Sequence, residues 1–420
     1  MADSEIRRLL GRPGFARYFL TVAAARSTGV MFDVAGVLLV LERTHDLTLA
    51  GLVIAAALLP AAVTGPFLGG WLDVAASRRR LLVLDRLVTV VALIAFLLLA
   101  GHAPNWTLPA VAFVFGATSP LSSGAYAAVL PEIAGPELLE VANAFEGASI
   151  NAAFIVGPAL AGLIAGVAGA PAAIEAQIGA GLLLAVAIAL DETFELRPEH
   201  GEEPMEGVMH AVREGLAATW RIRPLRWNLT IDGFYVLAWS TLNVSLPAFA
   251  ISIGSGAHAA GYMWAAVAAG SMIGGFVLRR RGGSTQPRLF IGGYFMAMAA
   301  SAALWPLAGA LGLALGLIFL TGVLDGPGLV ALISIRQRLA PPHLRAQIFT
   351  TANSFHSAVL AAGAAGAGLF HRAYGTDATL LLFPVLIAAA GALGLLSQYE
   401  PPPAAEAAVA APERAPSAGE

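Results

Sequence analysis

Arg26 and Asp33 stand seven residues apart in AAARSTGVMFDVAGVLLVLE, a stretch that is otherwise almost wholly apolar. A helix would carry both on nearly the same face, about 10 Å apart along its axis. At that spacing a guanidinium and a carboxylate can pair directly or through water, and the carboxylate can take up and release a proton as its surroundings change. Each charge costs about 2.5–3.5 kcal/mol at the centre of a bilayer on insertion scales, so this face calls for a protein-lined, hydrated cavity rather than lipid. Asp232 and Asp325 occupy similar apolar surroundings further along the chain, with Glu146, Asn151, Asn243, Asn353 and His356 as polar additions. Tyr235 and Trp239, with Phe234, Met263 and Trp264, form either an aromatic wall for a lipophilic ligand or ordinary packing.

Other chemistries are poorly served. Cysteine is absent, which excludes disulfides, thiolate metal sites and a cysteine nucleophile. The 24 basic residues are all arginine, so no lysine is available for a Schiff base. Neither H-E-x-x-H nor G-x-S-x-G occurs and the eight histidines are scattered. An enzyme is therefore not expected, and neither a metal nor a cofactor is implied.

The elements that must hold these side chains follow from hydropathy. The 420 residues are 58% hydrophobic and 12% charged, with a mean hydropathy of +0.75. Soluble domains carry about 25% charged residues, twice this supply. Twelve apolar runs are long enough to cross a bilayer as helices, which takes about 20 residues each: 15–41, 50–72, 81–101, 107–130, 143–167, 172–190, 228–251, 258–278, 289–308, 311–335, 347–370 and 378–397. Barrel strands would be half that length and would alternate. The expected fold is an all-α integral membrane protein of twelve transmembrane helices.

Arginine placement sets the expected orientation. Nearly all arginines flank one set of ends, and only Arg43 and Arg372 flank the other. The positive-inside rule then puts both termini in the cytoplasm. Residues 1–190 form one six-helix half and 228–399 the second. The linker 191–227 contains Met205, Val208, Met209, Val212, Leu216 and Trp220 at helical spacing, which predicts an amphipathic helix on the cytoplasmic face. Residues 400–420 are Pro/Ala-rich and predicted to be disordered. The halves echo each other: AGLVIAAALLPAAVTG (50–65) aligns with AGYMWAAVAAGSMIGG (260–275) at an offset of 210, and Gly116, Gly157 and Gly162 align with Gly322, Gly363 and Gly368 at 206. Duplicated halves around a midplane site are a transporter plan.

Two further motifs carry a family resemblance. GGWLDVAASRRR, Gly69 to Arg80, resembles the loop signature G-x-x-x-D-[RK]-x-G-[RK]-[RK] of the major facilitator superfamily, with Val74 in place of the basic residue after the acid. NAAFIVGPALAG resembles the antiporter signature G-x-x-x-G-P-x-x-G-G at Gly157, Pro158 and Gly162, with Ala153 and Ala161 at two of the glycine positions. With VLPEIAGPELLEVANAFEGASINAAFIVGPALAGLI and the linker, the chain looks most like the branch of macrolide-efflux and enterobactin-export permeases.

The resemblance implies the major facilitator fold, in two pseudo-symmetric halves. It implies a conformational latch at Gly69, Asp73, Arg78, Arg79 and Arg80, and a helix bend with close packing at Gly157, Pro158 and Gly162. It places Asp33 and Asp325 on cavity-lining helices. It also implies a monomeric secondary transporter of the bacterial inner membrane, partnered by the bilayer and a small molecule, with no nucleic acid and a proton gradient as energy source. The expected cycle loads a proton on Asp33 from outside and releases it inside, exchanging it for an exported lipophilic or amphiphilic substrate, with Arg26, Asp232 and Asp325 in coupling or binding roles. Asn151, Tyr235, Trp239, Asn243 and His356 are candidate cavity lining. An importer or facilitative permease of the same fold remains the alternative, and a non-transporting sensor or scaffold a more distant one.

Overall fold

A computed structural model describes residues 2–74, 77–135, 137–195, 217, 219–278, 287–339 and 345–397, without the side chains of 61–74 and of scattered helical positions. Among the described residues every regular element is helical. A short α1 (Ala2–Leu10) precedes α2 (Phe15–Thr44), α3 (Leu47–Val74), α4 (Arg78–Leu99), α5 (Thr107–Ala117), α6 (Ser119–Ala134), α7 (Leu139–Ala168) and α8 (Ala170–Leu190). After the linker come α9 (Arg223–Ser252), α10 (Ala259–Leu278), α11 (Pro287–Ala302), α12 (Leu311–Leu339) and α13 (Arg345–Leu396). Most of the linker, with its expected amphipathic helix, and the tail lie outside the described residues.

Eight described helices are long and apolar enough to cross a membrane. The 52-residue α13 is broken at Gly375, where φ is 81°, and its length of about 78 Å is enough for two crossings. The fourth expected span is split into α5 and α6 at Thr118, where Pro120 supplies no backbone donor. Counted this way the helix order is consistent with twelve spans.

Local signals explain the boundaries. Asp46 Oδ1 accepts the backbone N–H groups of Thr48 and Leu49 at 2.9 and 3.0 Å, capping α3. Ser77 Oγ accepts Arg80 N–H at 3.3 Å and caps α4. The turn between α7 and α8 passes through Gly169 at φ 91°, a conformation side chains resist.

The helices are inside-out by soluble standards. On α4, Leu84, Leu87, Val91, Ile94 and Leu98 recur at three- and four-residue steps on the exposed face, while the other face buries Asp85, Arg86 and Thr89 with Leu82, Leu93 and Phe96. Val167, Leu183 and Leu190 are also more than 70% exposed. Water would penalise such a surface, whereas lipid matches it.

The repeat is visible in the packing. A Cβ on Gly116 would meet the Ala57 carbonyl, and one on Gly322 would lie 2.3 Å from the carbonyl oxygen of Val267. Val267 is the repeat equivalent of Ala57 at the 210 offset. The span-2/span-4 contact of one half is thus rebuilt as α10 on α12 in the other, because the same missing side chains permit the same close approach.

Candidate functional site

Helix α2 carries Arg26 and Asp33, and the structure separates their fates. Arg26 forms an ion pair with Glu146 of α7, and its second terminal nitrogen donates to Ser149 Oγ. Gly157 lets α7 come this close, since a Cβ there would sit 2.6 Å from the Ser27 carbonyl oxygen. The guanidinium lies 5.9 Å from the Tyr126 ring centre, and Tyr18 donates its hydroxyl proton to the Tyr126 carbonyl at 2.8 Å. Arg26 is therefore engaged across helices rather than with Asp33. Asp33 is half-buried and makes no hydrogen bond or ion pair among the described residues. Between the two, on the same face, Gly29 has no described atom of another helix within 4 Å of its Cβ position.

A second N-half cluster lies on α4 and α6. Arg86 donates through Nε to Asp85 at 3.0 Å and through Nη2 to Ser122 at 3.0 Å, and Ser122 donates to the same carboxylate. Composition groups Arg86 with the arginines outside the membrane, yet it is 7% exposed and Asp85 only 1%. The adjacent acid is the one sequence signal for this burial.

Of the latch residues, Arg78 pairs with Glu132 of α6 at 2.9 Å, largely buried. Arg79 reaches Glu195, in the turn after α8, at 3.1 Å, and Arg80 is exposed. The side chain of Asp73 and the contacts of Gly69 lie outside what the structure describes.

In the second half, Asp232 on α9 is buried and paired. It accepts from Arg336 Nη2 of α12 at 2.8 Å, while Arg336 Nε donates to Asn228 at 2.9 Å and Asn228 donates to the Leu332 carbonyl at 3.0 Å. His356 on α13 lies within electrostatic reach of both Asp232 and Arg336. Like Arg86, Arg336 sits at an arginine-rich end in sequence and is buried in the structure.

Asp325 on α12 has a different environment. Tyr235 donates to one carboxylate oxygen and Ser271 to the other, each at 2.7 Å. Both partners are neutral hydroxyls, so this carboxylate is held in place by hydrogen bonds alone. Tyr235 stacks on Phe295 at 5.3 Å, and Trp239 packs between Trp264 and Phe383 at 6.0 and 5.5 Å. These aromatics belong to the second half's core, although Trp264 also touches the first half's core. Asn243 is buried on α9, and the side chain of Asn151 lies outside the described residues.

Depth sorts these groups. Counted at 1.5 Å per residue, Asp33 lies about 16 Å from the arginine-poor end of α2 and Asp325 about 21 Å from that of α12. Arg26 and Asp232 lie about 27 and 30 Å from the same ends of α2 and α9. The two carboxylates without a paired guanidinium thus sit at mid-depth, and the ion pairs lie towards the arginine-rich ends.

The halves meet along two seams at the arginine-poor ends. On α7 against α10, a Cβ on Gly162 would fall 1.9 Å from the Gly261 Cα. On α3 against α13, a Cβ on Gly51 would fall 2.5 Å from the Ala364 carbonyl oxygen, and Thr48 donates to the Gly368 carbonyl at 3.1 Å. Gly51 and Gly261 are repeat equivalents, as are Gly162 and Gly368. Two backbone-to-backbone crossings related by the internal repeat join the halves on this side.

A family model described as Major Facilitator Superfamily matches residues 18–364. The chain belongs to that superfamily. Members of the superfamily similar to it include the MFS-type transporter y4rN of Sinorhizobium fredii, 28% identical over 86% of this chain and 90% of the relative. The multidrug efflux pump Tap of Mycobacterium tuberculosis is 34% identical over 55% of this chain and 57% of the relative. Among solved structures, a bacterial homologue of the human lysosomal transporter Spinster superimposes with a TM-score of 0.70 at 13% identity, covering 91% of this chain and 95% of that one. A D-xylose–proton symporter gives 0.66 at 12% identity, covering 90% and 95%. The chain is thus a multi-pass membrane transporter of the major facilitator fold and not an enzyme.

Proposed function

We propose that the chain is a proton-coupled exporter of a small lipophilic or amphiphilic molecule, working by alternating access in a bacterial inner membrane with both termini cytoplasmic. The observation that carries this is the pairing of an arginine-poor side joined by two glycine crossings with mid-depth carboxylates, Asp33 and Asp325, that have no cationic partner among the described residues. The positive-inside rule makes the sealed side the outer one, so the described state is closed outside.

A carboxylate in a poorly hydrated cavity binds its proton more tightly than one in water. Opening the outer seal hydrates Asp33, and closing it changes that hydration, which ties proton binding to the accessible side. One elementary charge moving through 100 mV supplies about 2.3 kcal/mol. Export rather than import is favoured by the similarity to Tap and by the antiporter-like Gly157–Pro158–Gly162 segment.

The test uses everted membrane vesicles and a panel of lipophilic drugs. An inside-acid gradient is expected to drive accumulation, and Asp33→Asn is expected to abolish it while the protein still folds. Accumulation only under the opposite gradient would identify an importer. Full proton-driven transport by Asp33→Asn would remove Asp33 from the coupling role.

A further inference from the structure

Arg26 stands between two carboxylates on different helices, and the structure engages it with only one. Glu146 of α7 holds the guanidinium, and Asp33, two turns further along α2, has no partner among the described residues. Gly29 lies midway on the same face, and among the described residues no atom of another helix comes within 4 Å of where its side chain would be. An arginine side chain has four rotatable bonds, and the rise from residue 26 to 33 is about 10 Å. The empty space beside Gly29 is the room a guanidinium needs to leave Glu146 and approach Asp33.

We infer that Arg26 exchanges partners, from Glu146 to Asp33, through the gap that Gly29 leaves. This deepens the proposed coupling role of Asp33 and rests on that reading. With Arg26 on Glu146, Asp33 is free to hold a proton. With Arg26 on Asp33, the carboxylate is held ionised, since a nearby guanidinium favours the charged form. Because Glu146 sits on α7, whose outer turns form the Gly162–Gly261 seam, leaving Glu146 also loosens the helix that seals the outside. The exchange links the proton on Asp33 to the state of the seal.

Among the described residues, few other groups face this exchange. Tyr18 from α2 and Tyr126 from α6 flank the Arg26–Glu146 pair, with Asp85 and Arg86 of α4 behind Tyr126. Ser149 of α7 is a neutral second acceptor for Arg26. Gln177 from α8 is engaged with the Thr28 carbonyl.

The test reads Asp33 directly. Infrared titration of purified full-length protein in lipid nanodiscs follows the protonated-carboxyl band that disappears in Asp33→Asn. Glu146→Gln frees Arg26 for Asp33 and is expected to lower the Asp33 midpoint by about one pH unit or more. Adding Gly29→Leu closes the gap and is expected to raise the midpoint back to its original value or above it, whereas Gly179→Leu, at an equally open glycine of α8, leaves the lowered value in place. An unshifted midpoint in Glu146→Gln, or a shift that Gly29→Leu does not reverse, overturns the exchange. Should Glu146→Gln not fold, Gly29→Leu alone carries the test: its midpoint is expected above that of the unsubstituted protein, and equality overturns the idea. This readout needs no transport, so a failure of proton-driven transport in vesicles and a failure of the exchange are told apart.

Discussion

Gly162→Ala places a single methyl group at the tightest crossing between the halves. The new carbon would start 1.9 Å from the Gly261 Cα, about 1.5 Å short of the 3.4 Å at which ordinary contacts begin. The obstacle is backbone, so no side chain can rotate away, and the two helices must separate. Forcing extra carbon into a packed site costs about 1–3 kcal/mol. On the proposed alternating-access reading, the cost falls on the outside-closed state, because the crossing parts when that side opens. A differential of that size moves the equilibrium towards the outside-open state about 5- to 150-fold.

The absence of native cysteine makes spin labelling direct: Val167→Cys on α7 and Ile251→Cys on α9 mark exposed positions near the arginine-poor ends of the two halves. Gly162→Ala is expected to shift the label-to-label distances to longer values, and Gly162→Val to do so further. Gly51→Ala, at the repeat-equivalent seam, is expected to act in the same direction. Unchanged distances in folded Gly162→Val protein would mean the crossing is not the seal, and the alternating-access reading of the two seams would fall with it.

Other outcomes follow from the ion pairs. Arg336→Met leaves Asp232 buried without its cation and is expected to destabilise the protein by about 3–5 kcal/mol, read as a lowered thermal midpoint in detergent; Asp232→Leu with Arg336→Met is expected to recover most of that loss. Arg8→Gln, at the exposed pair with Glu137, is expected to change stability by less than about 1 kcal/mol, whereas Arg78→Gln, at the mostly buried pair with Glu132, is expected to cost more in the same melts. Tyr235→Phe removes one of the two hydroxyl donors to Asp325 and is expected to cost about 1–3 kcal/mol in the same melts, because a buried charged acceptor loses a hydrogen bond.

The linear chain determines a great deal of this protein. Twelve apolar runs, the lopsided arginines and the paired glycines at two near-constant offsets make the helical membrane architecture and its duplication legible, because crossing a bilayer imposes length and hydropathy on each helix separately. Even the seams are implicit there, since Gly51, Gly162, Gly261 and Gly368 occupy repeat-equivalent positions. Partner choice is not legible. Arg26 and Asp33 share a helix face, yet Arg26 binds Glu146, some 120 residues away; Arg86 and Arg336 sit among the arginines of one membrane side, yet both are buried in ion pairs; Asp232 is neutralised while Asp325 is not. Hydropathy fixes how deep a residue lies along its own helix, but which side chain it meets depends on the rotation and spacing of neighbouring helices. Those are set by where small residues let backbones touch, and only the packed structure decides them.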